Sequence, residues 1–359
     1  MSFDAFLPWH TDVAKAWLKD QDRFAHAWLI HGLAGIGKRE FSFAAARSLL
    51  CENPVDGMAC GQCVACGWVN QGNHPDLRRI RPEAIAIEEG ANQDSDEEGG
   101  GDSATSEVSG TKKAPSKDIR IDQIRSLEPW FNNATHRGGW RIALIYPAEA
   151  LTVISANALL KVLEEPPPST VFLLVADAPD RLLPTLLSRC RRLPLATPPK
   201  DIAHNWLLQN GVKQPDLWLA ASGGAPLLAK TLSATHDNPC PSWISEFVQS
   251  LSKGNMPDIG KIADLLSKSA TTSWIDSLQR LIIDALMVAN GLQARYFPTM
   301  QSHLDRIFIK KAAVSLSDLS IWLNEQQRVA GHPLNTKLFA HSVIQKVAGV
   351  FMRALQLKK

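Results

Sequence analysis

The sequence has no long hydrophobic run. Its most apolar stretch, residues 142–160, is interrupted by Pro147 and Glu149. That stretch is too polar and too short to span a bilayer, so no membrane partner is expected. The opening residues, MSFDAFLPWHTDVAKAWLKD, lack a basic segment followed by an apolar one, and no secretory signal is expected. Cysteine is scarce, six in 359 residues. Without a signal these thiols point to a reducing cytoplasm, where clustered cysteines hold metal more often than they form disulfides. No internal repeat is visible. Apolar residues at 45% and charged residues at 21% exclude a mainly disordered, collagenous or coiled-coil chain. The length implies two or three domains.

A large excess of either charge is also missing, since the net charge is +2. The balance is uneven, however. Residues 88–118 carry nine acidic side chains and three lysines, a net of −6 that leaves +8 on the rest. That remainder is mildly basic and compatible with phosphate contacts without being diagnostic of them. The acidic segment is rich in Gly and Ser and nearly free of large apolar residues. It cannot bury enough surface to offset its ordering entropy, so it reads as a disordered insertion. It is either an interaction loop or a tolerated surface insertion, since long loops cost little stability.

Around it, strands alternate with helices. Apolar runs at 27–31, 77–80, 141–146, 170–176 and 192–195 read as strands. Helical stretches are expected at 38–50, from Asp122 towards Asn132, at 152–165 and at 180–188, the third stopped by Pro166-Pro167-Pro168. This alternation predicts an α/β fold with a parallel sheet covered on both faces. After Thr197 no clear strand follows. Residues 201–210, 214–222 and 226–234 read as short helices, and from Pro241 onward apolar positions recur at helical spacing, as at Leu278, Leu281, Ile282 and Ala285. The expected domains are 1–196, a small helical domain 197–240 and a larger all-α domain 241–359.

Gly32-Leu-Ala-Gly35-Ile-Gly37-Lys38-Arg39 fits G-x-x-x-x-G-K between a strand and a helix, the context of a phosphate-binding loop. Its glycines allow backbone N–H groups to wrap a phosphate at a helix N-terminus, and Lys38 would reach the outer phosphates. A nucleotide-free glycine turn is the other reading. The next position should be Ser or Thr to hold Mg²⁺, but it is Arg39. The acid expected after the 141–146 strand is also missing, because Tyr146-Pro147 stands there and Glu149 comes about a helical turn too late. The site is therefore read as inactive in hydrolysis, with ATP binding left open.

Cys51, Cys60, Cys63 and Cys66 follow the spacing C-x8-C-x2-C-x2-C. Four soft thiolates suit one structural Zn²⁺ in a closed tetrahedral site spanning 51–66. An iron–sulfur cluster is the rival, though nothing nearby suggests electron transfer. Cys190 and Cys240 are isolated and read as ordinary thiols. A free-standing zinc nucleic-acid binder would place Lys and Arg around the cysteines, yet 52–69 contains neither.

Four features together resemble bacterial clamp-loader subunits of the AAA+ class. The cysteine module directly follows the P-loop helix. Asn157-Ala-Leu-Leu-Lys-Val-Leu-Glu-Glu-Pro-Pro167 matches the family's NALLK-LEEPP signature, and Ser188-Arg189-Cys190 its Ser-Arg-Cys motif. The helical tail resembles the family's lid (197–240) and collar (241–359) domains by position and pattern. The resemblance implies a component of the DNA polymerase III holoenzyme that helps load the sliding clamp onto primed DNA, beside gamma/tau motor subunits and a delta subunit. Arg39, Tyr146-Pro147, Asp177 at the sensor position and the lack of arginine in 222–228 depart from an active motor subunit. The departures imply a non-catalytic member without ATPase activity. An active subunit that hydrolyses ATP is the alternative, kept open by Lys38. Arg189, with Ser188 orienting it, would then be an arginine finger reaching a neighbour's ATP. Taken alone, Arg189 reads as a cation offsetting a helix dipole.

Overall fold

The computed structural model describes residues 5–19, 24–90, 114–136, 138–330 and 335–358. It divides into two compact units, Met1–Thr197 and Pro198–Lys359.

The first unit is built on five strands: β1 (Ala27–His31), β2 (Leu77–Ile80), β3 (Arg141–Ile145), β4 (Thr170–Ala176) and β5 (Arg191–Pro194). All pair in parallel in the order β2-β3-β4-β1-β5. The runs RIALI and TVFLLVA are buried along their whole length, as strands covered on both faces must be. β5 lies at an edge, is mostly exposed and ends in Pro194, a residue that an edge tolerates because it has no N–H to donate. The helices are α1 (Thr11–Leu18), α2 (Lys38–Leu50), α3 (Val64–Gln71), α4 (Glu83–Glu88), α5 (Ile121–Arg125), α6 (Leu127–Asn132), α7 (Val153–Glu164) and α8 (Pro184–Leu187). Alternate strand residues Leu29, Ile145, Phe172 and Leu174 pack with Ile124, Leu127, Leu159 and Leu163 of α5, α6 and α7. On the other side α2 packs against β1, β3 and β4, and Phe41 joins Trp17 and Trp28 in an aromatic cluster.

Three expectations need correction. The helix expected over 180–188 is a 3₁₀ turn, Pro179–Arg181, followed by the four-residue α8. Pro184 pushes Leu183 into extended backbone and separates the two. The helix from Asp122 to Asn132 is two helices. Asp122 sits in the first turn of α5, and the cap comes from Gln123, whose Oε1 accepts from the Arg120 N–H at 3.0 Å. The acidic insertion is shorter than 88–118. Its middle, 91–113, lies outside the described residues, but Glu88 ends α4 and Glu89 is largely buried in an ion-pair network. At the far end, Ser116 N–H donates to Glu83 at 3.1 Å and Ile119 bridges Leu151.

The second unit is all helical: α9 (Lys200–Gln209), α10 (Pro215–Ala221), α11 (Pro226–Thr235), α12 (Ser242–Ser252), α13 (Ile259–Leu266), α14 (Thr271–Ala289), α15 (Gln301–Ile307), α16 (Ala313–Val329) and α17 (Thr336–Gln356). It holds two apolar clusters. A small one joins Ala203, Leu207, Trp218 and Ala229 of α9, α10 and α11. A large one runs from α12 through α17 and includes Phe247, Leu281, Phe308 and Phe351.

Candidate functional site

The P-loop sits where the chain leaves β1 and enters α2, at the C-terminal edge of a parallel sheet, where such sheets bind ligands. The turn needs its glycines. Gly37 caps α2 with φ 95°, and a Cβ on Gly32 would come within 2.4 Å of the Leu195 carbonyl oxygen. Trp9 Nε1 donates to the Ile36 carbonyl at 2.9 Å and braces the turn from outside.

Lys38 is 4% exposed. Its ammonium donates to the Leu33 carbonyl at 2.6 Å and pairs with Asp177 at 2.5 Å. Asp177 follows the last residue of β4, the strand beside β1. A carboxylate thus meets the group that would meet a phosphate. Arg39 lies 3.4 Å from both Glu40 and Glu89. Glu89 also accepts from the Tyr146 hydroxyl at 2.7 Å and lies 2.9 Å from Arg81 Nε. Burial pushes the Tyr146 phenol well above its ordinary value, with Arg81 pulling against the shift and Glu89 adding to it. The two positions that lack Mg²⁺ ligands are therefore joined through one carboxylate. Glu149 is engaged as well, accepting the backbone N–H groups of Asp177 and Ala178 at 2.6 Å each. It fastens the end of β4. His10, 2% exposed, packs on Phe41 near Lys38. Burial, with Lys38 adding to it, lowers His10 to about 4. The sequence reading placed Asp177 at the sensor position but not in a pair with Lys38, and an acid just past a strand adjacent to the P-loop strand was a usable signal for that pair. Glu89 escaped it, masked by its acidic neighbours.

The four cysteines converge. Their sulfurs lie within 4.8 Å of one another, and Cys51 and Cys63 are 3.8 Å apart. A tetrahedron with metal–sulfur distances of about 2.3 Å has edges of about 3.8 Å. Backbone N–H groups of Cys60, Cys63 and Cys66 point at the sulfurs of Cys51, Cys60 and Cys63 at 3.2, 3.4 and 3.4 Å. Such donors stabilise thiolates. N–H groups of Gln62 and Cys63 lower Cys60 to about 6. Burial opposes the Cys63 thiolate, but donors from Cys66 and Glu52 outweigh it and leave Cys63 below its ordinary value. Burial raises Cys51 to about 12 and also raises Cys66. This donor set can hold a metal ion. Cys190 and Cys240 stand apart, raised by burial to about 12 and 11.

Arg189 follows α8 and is one-third exposed. It pairs with Glu164, the last residue of α7, and donates to the Thr185 carbonyl at 2.9 Å. Ser188 donates to the same carbonyl at 2.9 Å, so both residues close the helix end.

The fold and the turn define a P-loop-type α/β protein with an attached four-cysteine cluster. The family described as "DNA polymerase III, delta subunit" matches residues 13–199. A DNA polymerase III subunit delta' of Pseudomonas aeruginosa is 37% identical over 212 residues, covering 58% of this chain and 56% of that protein. One from Yersinia pestis is 31% identical over 274 residues, 74% of this chain and 71% of that protein. The tau subunit of Escherichia coli is 33% identical over 168 residues, 47% of this chain and 21% of tau. The chain belongs to the delta' family of DNA polymerase III subunits. It spans little more than half the length of the Pseudomonas relative. Among the described residues no helix is long and apolar enough to cross a membrane.

Proposed function

We propose that the chain is a non-catalytic clamp-loader subunit in cytoplasmic DNA replication. It helps load the sliding clamp onto primed DNA beside gamma/tau motor subunits and a delta subunit, within the DNA polymerase III holoenzyme. The observation that carries this reading is the occupied P-loop. Lys38 is held by Asp177, while Arg39 and Tyr146 share Glu89, so the two positions that would supply the Mg²⁺ hydroxyl and the catalytic acid carry a guanidinium and a phenol, and the nearby carboxylates are engaged by cations. β1, the strand that leads into the loop, lies between β4 and β5 in the parallel sheet, which supports an AAA+-type domain. The small apolar cluster of α9, α10 and α11 and the large one carried mainly by α12 to α17, which also takes in Ala221 and Cys240, support a lid over 197–240 and a collar over 241–359. Cys51, Cys60, Cys63 and Cys66 would hold one structural Zn²⁺, leaving no position open for substrate. Arg189 would serve a neighbouring ATPase site in trans, with Ser188 orienting the helix end.

The test is turnover by the purified chain. ATP hydrolysis should stay at background with Mg²⁺ present, and clamp- and DNA-stimulated hydrolysis should appear only after motor and delta subunits are added. Turnover by the chain alone that vanishes in Lys38→Ala would establish the active-subunit alternative instead.

A further inference from the structure

Arg47 lies on α2 four residues before Cys51. On a helix this spacing puts a side chain on the face that leads into the residue after the last turn. Arg47 is 4% exposed, and a guanidinium so far from water needs an anionic or hydrogen-bonding partner. It extends to the cysteine loop. A Cβ on Gly61, between Cys60 and Cys63, would lie 2.9 Å from Arg47 Nη2, which puts the guanidinium against the cysteine loop, where it favours the charged form of Cys66. The neighbouring Ser48 hydroxyl accepts the Ala59 N–H at 3.1 Å, so the same turn of α2 also anchors the loop's approach.

Charge explains why a cation belongs there. Four thiolates around one divalent ion carry a net charge of −2. The interval 48–69 contains no Lys or Arg and adds Glu52 and Asp56. We propose that Arg47 is the charge-compensating and positioning residue of the metal site. Its guanidinium donates to the Cys66 thiolate, offsets the negative charge of the bound cluster and slows release of a thiophilic divalent cation. This inference rests on the zinc reading of the four cysteines. Gly61 serves it by leaving room for the guanidinium.

The test uses the full chain carrying its metal. Wild type, Arg47→Lys, Arg47→Gln and Arg47→Met are prepared without chelator. Metal content, release of Zn²⁺ to excess EDTA, and the thiolate-to-metal charge-transfer band after Co²⁺ substitution are then measured, with far-ultraviolet circular dichroism to verify the fold. Removing a group that supports metal ligands typically changes affinity roughly 10–100-fold. Release should therefore speed up by about that factor in Arg47→Gln and Arg47→Met, with a shifted cobalt band, and Arg47→Lys should recover most of the difference. If Arg47→Met does not fold, the comparison of Arg47→Lys with Arg47→Gln decides, because both shorten the side chain and only the first keeps the charge. Equal release from Arg47→Lys and Arg47→Gln, or Arg47→Gln behaving as wild type, overturns the proposal while leaving the zinc site standing. A wild-type chain that holds neither zinc nor cobalt overturns both.

Discussion

At the residue scale, the P-loop neighbourhood gives one buried cation a carboxylate partner and holds one buried imidazole neutral. Lys38 has Asp177 and the Leu33 carbonyl to stabilise its ammonium. Neither ring nitrogen of His10 has a hydrogen-bond partner, and a proton there would be buried beside Lys38. Folding holds His10 neutral down to about 4 against an ordinary value of 6.5. Between those values the unfolded chain binds more protons than the folded one, so stability rises with pH across the window and is lost on acidification, levelling off below about 4. At 1.36 kcal/mol per unit the loss is about 3 kcal/mol. His10→Leu keeps an apolar filling against Phe41 and should flatten this part of the acid limb. Urea midpoints between pH 4 and pH 7 would show it, and an unchanged slope in the variant would refute the assignment.

At the element scale, the strands of the first unit were legible because parallel strands covered on both faces need continuous apolar runs, and 141–145 and 170–176 supply them. The cysteine cluster was legible because its four thiols are local in sequence. What was hidden depends on partners far apart in the chain. Lys38 and Asp177 meet only because β1 and β4 are neighbours. Glu89 looks like the start of a solvated acidic run until Arg81, Arg39 and Tyr146 surround it. The second unit hides a similar device. Asp284, on α14, is fully buried and accepts the N–H groups of Arg295, Tyr296 and Phe297 at 2.7, 2.9 and 2.7 Å. It fixes the connection from α14 to α15. Asp284→Ala would strand three donors and should cost about 3 kcal/mol or more, whereas Asp284→Asn, which keeps one acceptor, should cost less. Denaturant unfolding of both variants checks this, and a loss below about 0.5 kcal/mol in the alanine variant would remove Asp284 from that role.

At the scale of the whole molecule, the question is whether Arg189 serves its own chain or a neighbour. In its own chain it closes α8 through the Thr185 carbonyl and pairs with Glu164, whose side chain is half exposed. An exposed pair of this kind contributes about 0–1 kcal/mol. A finger delivered in trans can accelerate phosphoryl transfer by ~10³ or more, about 4 kcal/mol of barrier. Releasing Arg189 from Glu164 therefore costs far less than the transferred guanidinium would return, and the cis contacts are compatible with a resting position. Arg189→Ala should leave folding and assembly intact and slow the ATPase of the assembled loader. The fall should be partial, because the chain would border one motor site among several. Arg191→Ala is the control. It removes a nearby cation that lies over the Trp28 ring at 5.6 Å, so it can lower stability by about 0.5–1 kcal/mol without touching a neighbour's nucleotide. Glu164→Gln completes the comparison by freeing Arg189 while leaving it in place. With assembly verified, clamp- and DNA-stimulated ATPase should fall in Arg189→Ala alone. Equal rates in all three variants would return Arg189 to the closing of its own helix.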